Sequence, residues 1–311
     1  MAETRKPNVF LLGAPKCGTT TIVRVLAQHS KVFLPYPKET DFWSTDMKKS
    51  TDVTDLKSVD DYLALFAKCP EEKTHLLDGS TTHLFSEVAV DNILGFQPDA
   101  YFIIMLRNPV AQVQSLHQEQ LFSMNEDEPD FWTAWTLQEK RARGENIPKS
   151  CADPLRLLYA RQGALGDQLE RAMNRIPPER LFIGFLDDMQ RDFGGFYDRL
   201  TDFLELGKEE LSDIGAVKSS RQHRFQGIAR LYQSPPAAFA PTVRVLKKAL
   251  RRNGSLTQRL AQKILVRDMP RTELTEQQLA ALHDVFAPQI RKIAALTGRD
   301  LSGWQARAAA A

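Results

Sequence analysis

The chain has 311 residues, 42% of them hydrophobic and 26% charged, with a formal net charge of +2. That composition excludes a disordered or collagenous chain and leaves room for one large α/β domain or two smaller ones. A balance so close to neutral implies no global polyanion partner such as nucleic acid, so any anion site has to be local.

A polar arm, residues 1–8, precedes Val9 to Leu12, a short apolar run of the kind a central parallel strand requires. Gly13 to Gly18 then turns the chain. Thr20 to Gln28 places Ile22, Val23, Leu26 and Ala27 on one side at helical spacing. A strand that turns through glycines into a helix start is a phosphate cradle, because the first helical N–H groups lack carbonyl partners and the macrodipole favours an anion. The two glycines fit the pattern G-x-x-x-x-G-K-[ST]. Where that pattern has Lys this chain has Thr19, and its lysine, Lys16, sits inside the loop. The displaced cation argues against a Mg-nucleotide kinase and for a different phosphate-bearing donor. The plain alternative is a glycine turn joining strand to helix in any α/β protein.

Pro15-Lys16-Cys17-Gly18-Thr19-Thr20, followed by an apolar helix, resembles the 5′-phosphosulfate loop of sulfotransferases that use PAPS (3′-phosphoadenosine 5′-phosphosulfate). The resemblance implies a single P-loop-like α/β domain with a central parallel sheet flanked by helices. It implies that Lys16 meets the bridging and sulfuryl oxygens, that backbone N–H groups from Gly18 on and the Thr19 and Thr20 hydroxyls hold the 5′-phosphate, and that Cys17 and Thr21 complete the loop's donor-binding set.

Next, Val32 to Trp43 contains Pro35 and Pro37 and reads as extended chain or loop. Glu39 stands there among aromatics and beside Lys38. Taken alone it reads first as a surface Lys–Glu pair; an apolar setting would suit it to take a proton as a general base. The stretch resembles the K-E-x-x-F-F segment of heparan-sulfate-type and bacterial sulfotransferases, which implies that Glu39 deprotonates the acceptor. Asp60 to Lys68 reads as an amphipathic helix and Thr74 to Asp78 as a brief strand. The loop Asp78 to Leu84 follows that strand's carboxyl end, where open parallel sheets bind ligands. The family often has a catalytic lysine there; Ser80 stands in its place. His83 is a candidate second base or acceptor contact, against the commoner reading of a loop histidine with no chemistry.

Ala100 to Leu106 is the clearest strand. It ends in Arg107-Asn108-Pro109, with Pro109 suited to a first helical position, and Ser115 falls on the helix's second turn. A guanidinium fork and a hydroxyl can converge on one anion. R-N-P with Ser eight positions after the Arg resembles the family's 3′-phosphate motif. The plain alternative is an Arg capping the sheet edge and a neutral helical Ser. Residues 126–153 mix charged and aromatic side chains and read as a helix near 130–143 and a mobile loop to 153. The resemblance makes this a variable acceptor or lid region, with Trp132 and Trp135 as packing residues. Pro154 to Arg175 reads as one long helix capped by Asp153, Leu181 to Leu186 as a strand, and Phe193 to Leu206 as a helix. Asp187 and Asp188 between them read as a helix entry.

Val217 to Phe225 is a basic loop that fits a cover over a nucleotide phosphate. The resemblance favours Arg221 as its contact. Residues 240–268 read as a basic helical region. It is a solvated face first; an anionic acceptor or an anionic membrane surface is the alternative partner. Thr275 to Leu296 reads as a last helix, which the resemblance packs on the sheet, and residues 305–311 as a frayed tail. Cys17, Cys69 and Cys151 make neither a metal spacing nor a disulfide framework, and the six histidines are scattered. With no leader-like or membrane-span stretch, a cytoplasmic protein without a metal is expected. The reading from residues and resemblance together is transfer of a sulfuryl group from PAPS to an acceptor hydroxyl, less favourably an amine, with PAP as product. The competing readings are a P-loop phosphotransferase and a nucleotide-binding module without catalysis. The acceptor, a carbohydrate, lipid or small molecule, and the oligomeric state stay open.

Overall fold

The computed structural model describes residues 5–48, 56–209, 221–223, 266–268 and 273–305, with 221–223, 266–268 and 305 described by backbone alone. Five strands form one sheet: β1 (Val9–Gly13), β2 (Val32–Phe33), β3 (His75–Asp78), β4 (Tyr101–Leu106) and β5 (Leu181–Phe185). Their order is β2-β3-β1-β4-β5, and every pairing is parallel. All of β1 is buried, and so is β4 beyond Tyr101. Both faces of a parallel sheet are covered by crossovers, which is why these strands are continuous apolar runs. From β1 the chain fills one side of the sheet with β2 and β3, then crosses to the other side for β4 and β5. The strand order therefore reverses beside β1, and the crevice beyond the carboxyl ends at such a point is where open α/β sheets bind ligands.

The helices are α1 (Thr19–Leu26), α2 (Val59–Ala64), α3 (Ala89–Phe96), α4 (Pro109–Phe122), α5 (Phe131–Thr136), α6 (Gln138–Ala142), α7 (Tyr159–Gln162), α8 (Leu165–Met173), α9 (Leu186–Arg191), α10 (Phe193–Phe203), α11 (Glu276–Thr297) and α12 (Ser302–Gln305). Two compact units result. The first takes Met1–Val113, Ala160–Val217 and Glu276–Ala311; the second takes Gln114–Tyr159 and Lys218–Thr275.

The first unit holds the sheet and its core, in which Phe10 stacks on Phe102 at 6.0 Å. The last long helix was expected on the sheet. There α11 lies along α8, and its Ile290 and Ile293 join the same buried core as the strands. Gly166 permits that approach, since a Cβ there would lie 2.7 Å from the Gln289 carbonyl oxygen. Ion pairs from Lys292 to Asp167 and Glu170 flank the seam.

The second unit is built on a buried ion pair. Arg141 donates from both terminal nitrogens to Glu126, at 2.6 and 2.7 Å, and the Tyr159 hydroxyl donates to the same carboxylate at 2.8 Å. The single helix expected near 130–143 is two, broken at Leu137, with Asp130 capping the first through the Thr133 N–H. The stretch expected as a mobile loop is hydrogen-bonded back instead: Ser150 to the Met124 carbonyl and the Ala152 N–H to Asn125. This unit also holds an antiparallel pair, β6 (Arg221–His223) and β7 (Val266–Asp268).

The helix expected over 154–175 is three pieces. Asp153 does cap its start, accepting from the Leu155 N–H, but Pro154–Leu157 is a 3₁₀ turn and Leu158 leaves helical geometry at φ −88° and ψ 74°. A second break falls at Gly163, where a Cβ would lie 2.6 to 2.7 Å from Phe286 and Val113. Close packing there overrides the helical periodicity. The basic cover loop lies outside the described residues except 221–223, whose backbone is strand, so the Arg221 side chain is not described. The basic stretch 240–268 also lies outside them except for Val266–Asp268, which is strand rather than helix. Of the tail, only Gln305 is within them.

Candidate functional site

The loop after β1 is built as a cradle. Gly13 has φ +140°, and a Cβ there would sit 2.7 Å from the Thr81 carbonyl oxygen. Gly18 caps α1 at φ +86°, and a Cβ on it would meet Met189 and Leu186 at 2.8 and 2.9 Å. Lys16 is held at φ +65°, a left-handed conformation that costs a non-glycine residue about 1–2 kcal/mol. The first bonds of α1 run from Thr21 and Ile22 back to the Gly18 carbonyl. The N–H groups of Gly18, Thr19 and Thr20 thus precede the intrahelical ladder and face an anion's natural place. Cys17 is fully buried within the loop. Burial pushes its thiol up to about 12, against the opposing charges of Arg107 and Lys16, with Asp187 adding to the rise. A thiol so held is neutral and unreactive, so Cys17 serves the loop through its backbone and packing.

The corner after β4 is tied to this loop. Arg107 donates from Nη1 to the Lys16 carbonyl at 3.2 Å, Gln112 donates to the Pro15 carbonyl at 3.3 Å, and the Ala14 N–H donates to the Met105 carbonyl at 2.9 Å. These bonds hold the strained Lys16 in place and set a guanidinium against the cradle. Gln112 was not foreseen, although it lies between Arg107 and Ser115. Ser115 itself is buried on the second turn of α4.

Glu39 does not stand in an apolar setting. Its side chain is 42% exposed, Lys38 donates to Oε1 at 2.6 Å, and Thr81 donates to Oε2 at 3.3 Å. The aromatics beside it turn away: Phe42 and Trp43 pack on Tyr62. What fixes the loop is a residue that sequence reading passed over. Asp78, fully buried at the end of β3, accepts from the Thr40 hydroxyl at 2.9 Å, the Tyr62 hydroxyl at 2.8 Å, and the Ser80 N–H at 3.0 Å and hydroxyl at 2.5 Å. Ser80 in turn accepts from the Thr40 and Asp41 N–H groups. Ser80, which replaces the family's lysine option, is thus a fully buried brace rather than a catalytic group. His83 is fully buried too.

Residues 6–294 match the model of the sulfotransferase domain. The chain belongs to the sulfotransferase domain family. Among curated sulfotransferases, carbohydrate sulfotransferase 15 of Homo sapiens is 25% identical over 244 residues, covering 66% of this chain and 40% of that protein. The bifunctional heparan sulfate N-deacetylase/N-sulfotransferase 1 of Xenopus laevis is 26% identical over 184 residues, covering 58% and 20%. The chain therefore spans less than half the length of the curated relatives it matches. A solved sulfotransferase from Alicyclobacillus acidocaldarius superposes with a TM-score of 0.71 at 20% identity, over 97% of this chain and all of that one. That likeness shows the sulfotransferase fold, a P-loop-like parallel sheet with flanking helices. Among the described residues no group of His, Cys, Asp or Glu is placed to hold a metal ion, and no helix is long and apolar enough to cross a membrane.

Proposed function

We propose that this chain transfers the sulfuryl group of PAPS to a hydroxyl, less favourably an amine, and releases PAP. The observation that carries the reading is the joined geometry of the cradle and the β4 corner, in a member of this family: Arg107 grips the loop's own lysine carbonyl. A donor with phosphates at both its 5′ and 3′ positions asks for two anion sites. In this reading Lys16, Gly18, Thr19 and Thr20 take the 5′ end, and Arg107 with Ser115 takes the 3′-phosphate. Cys17 and Thr21 shape the loop, and Arg221 is the residue of the basic cover loop assigned to a nucleotide phosphate.

The chemistry balances simply. The acceptor oxygen bonds to sulfur as the bond from sulfur to the bridging phosphate oxygen breaks, and that electron pair leaves on PAP. The acceptor's proton passes to Glu39. Lys38 and Thr81 each occupy one acceptor site of the Glu39 carboxylate and leave the others for the incoming hydroxyl. Lys16 and the start of α1 stabilise charge building on the sulfuryl and phosphate oxygens. Two relatives are named for carbohydrate or heparan sulfate chemistry, which ranks a sugar acceptor ahead of a lipid or a small aromatic molecule. Labelled-sulfate transfer from PAPS across an acceptor panel tests the reading. Turnover of Mg-ATP without sulfate transfer would replace it with a phosphotransferase. Tight PAP binding with no transfer to any acceptor would leave a binding module.

A further inference from the structure

We infer that the segment Arg299–Trp304 is a clasp that sets the Arg107 corner for the 3′-phosphate, with Trp304 and Asn108 as its positioning residues. The inference rests on the assignment of Arg107 proposed above. The clasp segment itself lies beyond the 6–294 span of the family match.

The clasp holds two strand ends at once. The Trp304 carbonyl accepts from Asn108 Nδ2 at 3.1 Å, immediately after Arg107 at the end of β4. The Trp304 indole N–H donates to Asp187 Oδ2 at 2.6 Å, in the first turn of α9 at the end of β5. Its ring lies 5.9 Å from that of Phe185, and the residue is 6% exposed. Arg299 forks both oxygens of Asp188, the next residue of α9, and stacks 4.1 Å over Phe185. Leu301 is buried between them in sequence.

Both anchor points bear on the phosphate cradle. Arg107 donates to the Lys16 carbonyl, and α9 presents Leu186 and Met189 to Gly18. Asn108 has a second duty: its Oδ1 accepts from the Val110 N–H at 2.9 Å and so caps the start of α4. One amide thus fixes the start of the helix that follows Arg107 and ties it to Trp304. A guanidinium that has to meet a phosphate gains from such a fixed corner, since misplacing it by an ångström forfeits much of the interaction.

The test compares nucleotide binding by the full chain, using titration calorimetry well below the melting temperature. PAP carries the 3′-phosphate and AMP does not. Asn108→Ser keeps a capping oxygen for the Val110 N–H and removes the donor to Trp304. Trp304→Phe keeps the ring on Phe185 and removes the N–H to Asp187. Each variant should lower the preference for PAP over AMP by roughly 3- to 10-fold, the range one hydrogen bond supports, with AMP affinity close to wild type. Unchanged preference in both variants overturns the clasp. So does an equal loss of PAP and AMP affinity, which would mark a merely structural brace. If wild type itself binds PAP and AMP alike, the assignment of Arg107 fails first and the clasp falls with it.

Discussion

Gly13 is the residue on which the cradle's shape depends most directly. Its φ of +140° is open only to glycine, and a Cβ would lie 2.7 Å from a backbone oxygen that has no flexible end to yield. Gly13→Ala should therefore cost on the order of 2–4 kcal/mol in urea unfolding, with a loss of nucleotide affinity beside it. Glu39 makes the opposite case, a partly exposed carboxylate whose proposed role is chemical. Glu39→Gln keeps the hydrogen-bonding shape toward Thr81 and removes the base. Sulfate transfer should fall by about 10²- to 10⁴-fold in kcat, with PAP affinity little changed. Transfer that survives the substitution would move the base elsewhere. The strings that hold Lys16, Arg107 and Glu39 could be read as motifs because each is short and contiguous, whereas the exposed setting of Glu39 could not. Asp78 was not legible either, because its partners Thr40, Tyr62 and Ser80 come from three separate stretches and meet only in the fold.

At the scale of elements, the Glu126–Arg141–Tyr159 cluster decides whether the second unit holds together. Burial pushes Glu126 upward, but hydrogen bonds from Arg141, the Glu128 N–H and Tyr159 outweigh it and hold the carboxyl below its ordinary value. Glu126→Gln leaves the Arg141 guanidinium buried without a counter-charge and should cost about 3–5 kcal/mol. Replacing both partners by apolar residues, Glu126→Leu with Arg141→Met, should cost markedly less. A double variant as unstable as the single one would show that the pair stabilises beyond mutual compensation. Strands β1, β3, β4 and β5 were readable from their apolar runs. The 154–175 stretch was not, because the break at Gly163 answers to packing against Phe286 and Val113, and no proline or charge run marks it or the break at Leu158. Helix α3, Ala89–Phe96, went unread.

Across the whole molecule, acid should act on both units through one buried and one half-buried imidazole before it reaches the carboxylates. Burial pushes His117 below the ordinary 6.5, against the upward pull of the Glu128 carbonyl, Glu126 and Asp130 and with Arg141 adding to the fall. Burial likewise lowers His75, with His29 and Lys31 adding to the fall and the Leu204 backbone and Glu205 opposing it. A histidine lowered in the fold is protonated more readily in the unfolded chain. The unfolded state then binds more protons, so the stability present above pH 6.5 drains away as pH falls through the lower folded value. Glu126, Asp167 and Asp188 are held down by their partners and add to the same slope, but only below about pH 4.5. Urea midpoints should therefore drop between pH 7.5 and 5.5, above the range in which those three carboxylates act. His117→Gln should remove the share that belongs to the second unit, and His75→Gln the share that belongs to the first, because the two rings lie in different units. Midpoints that stay level or rise over that interval would show that the two imidazoles keep their protons in the fold, and the burial argument for them would be wrong.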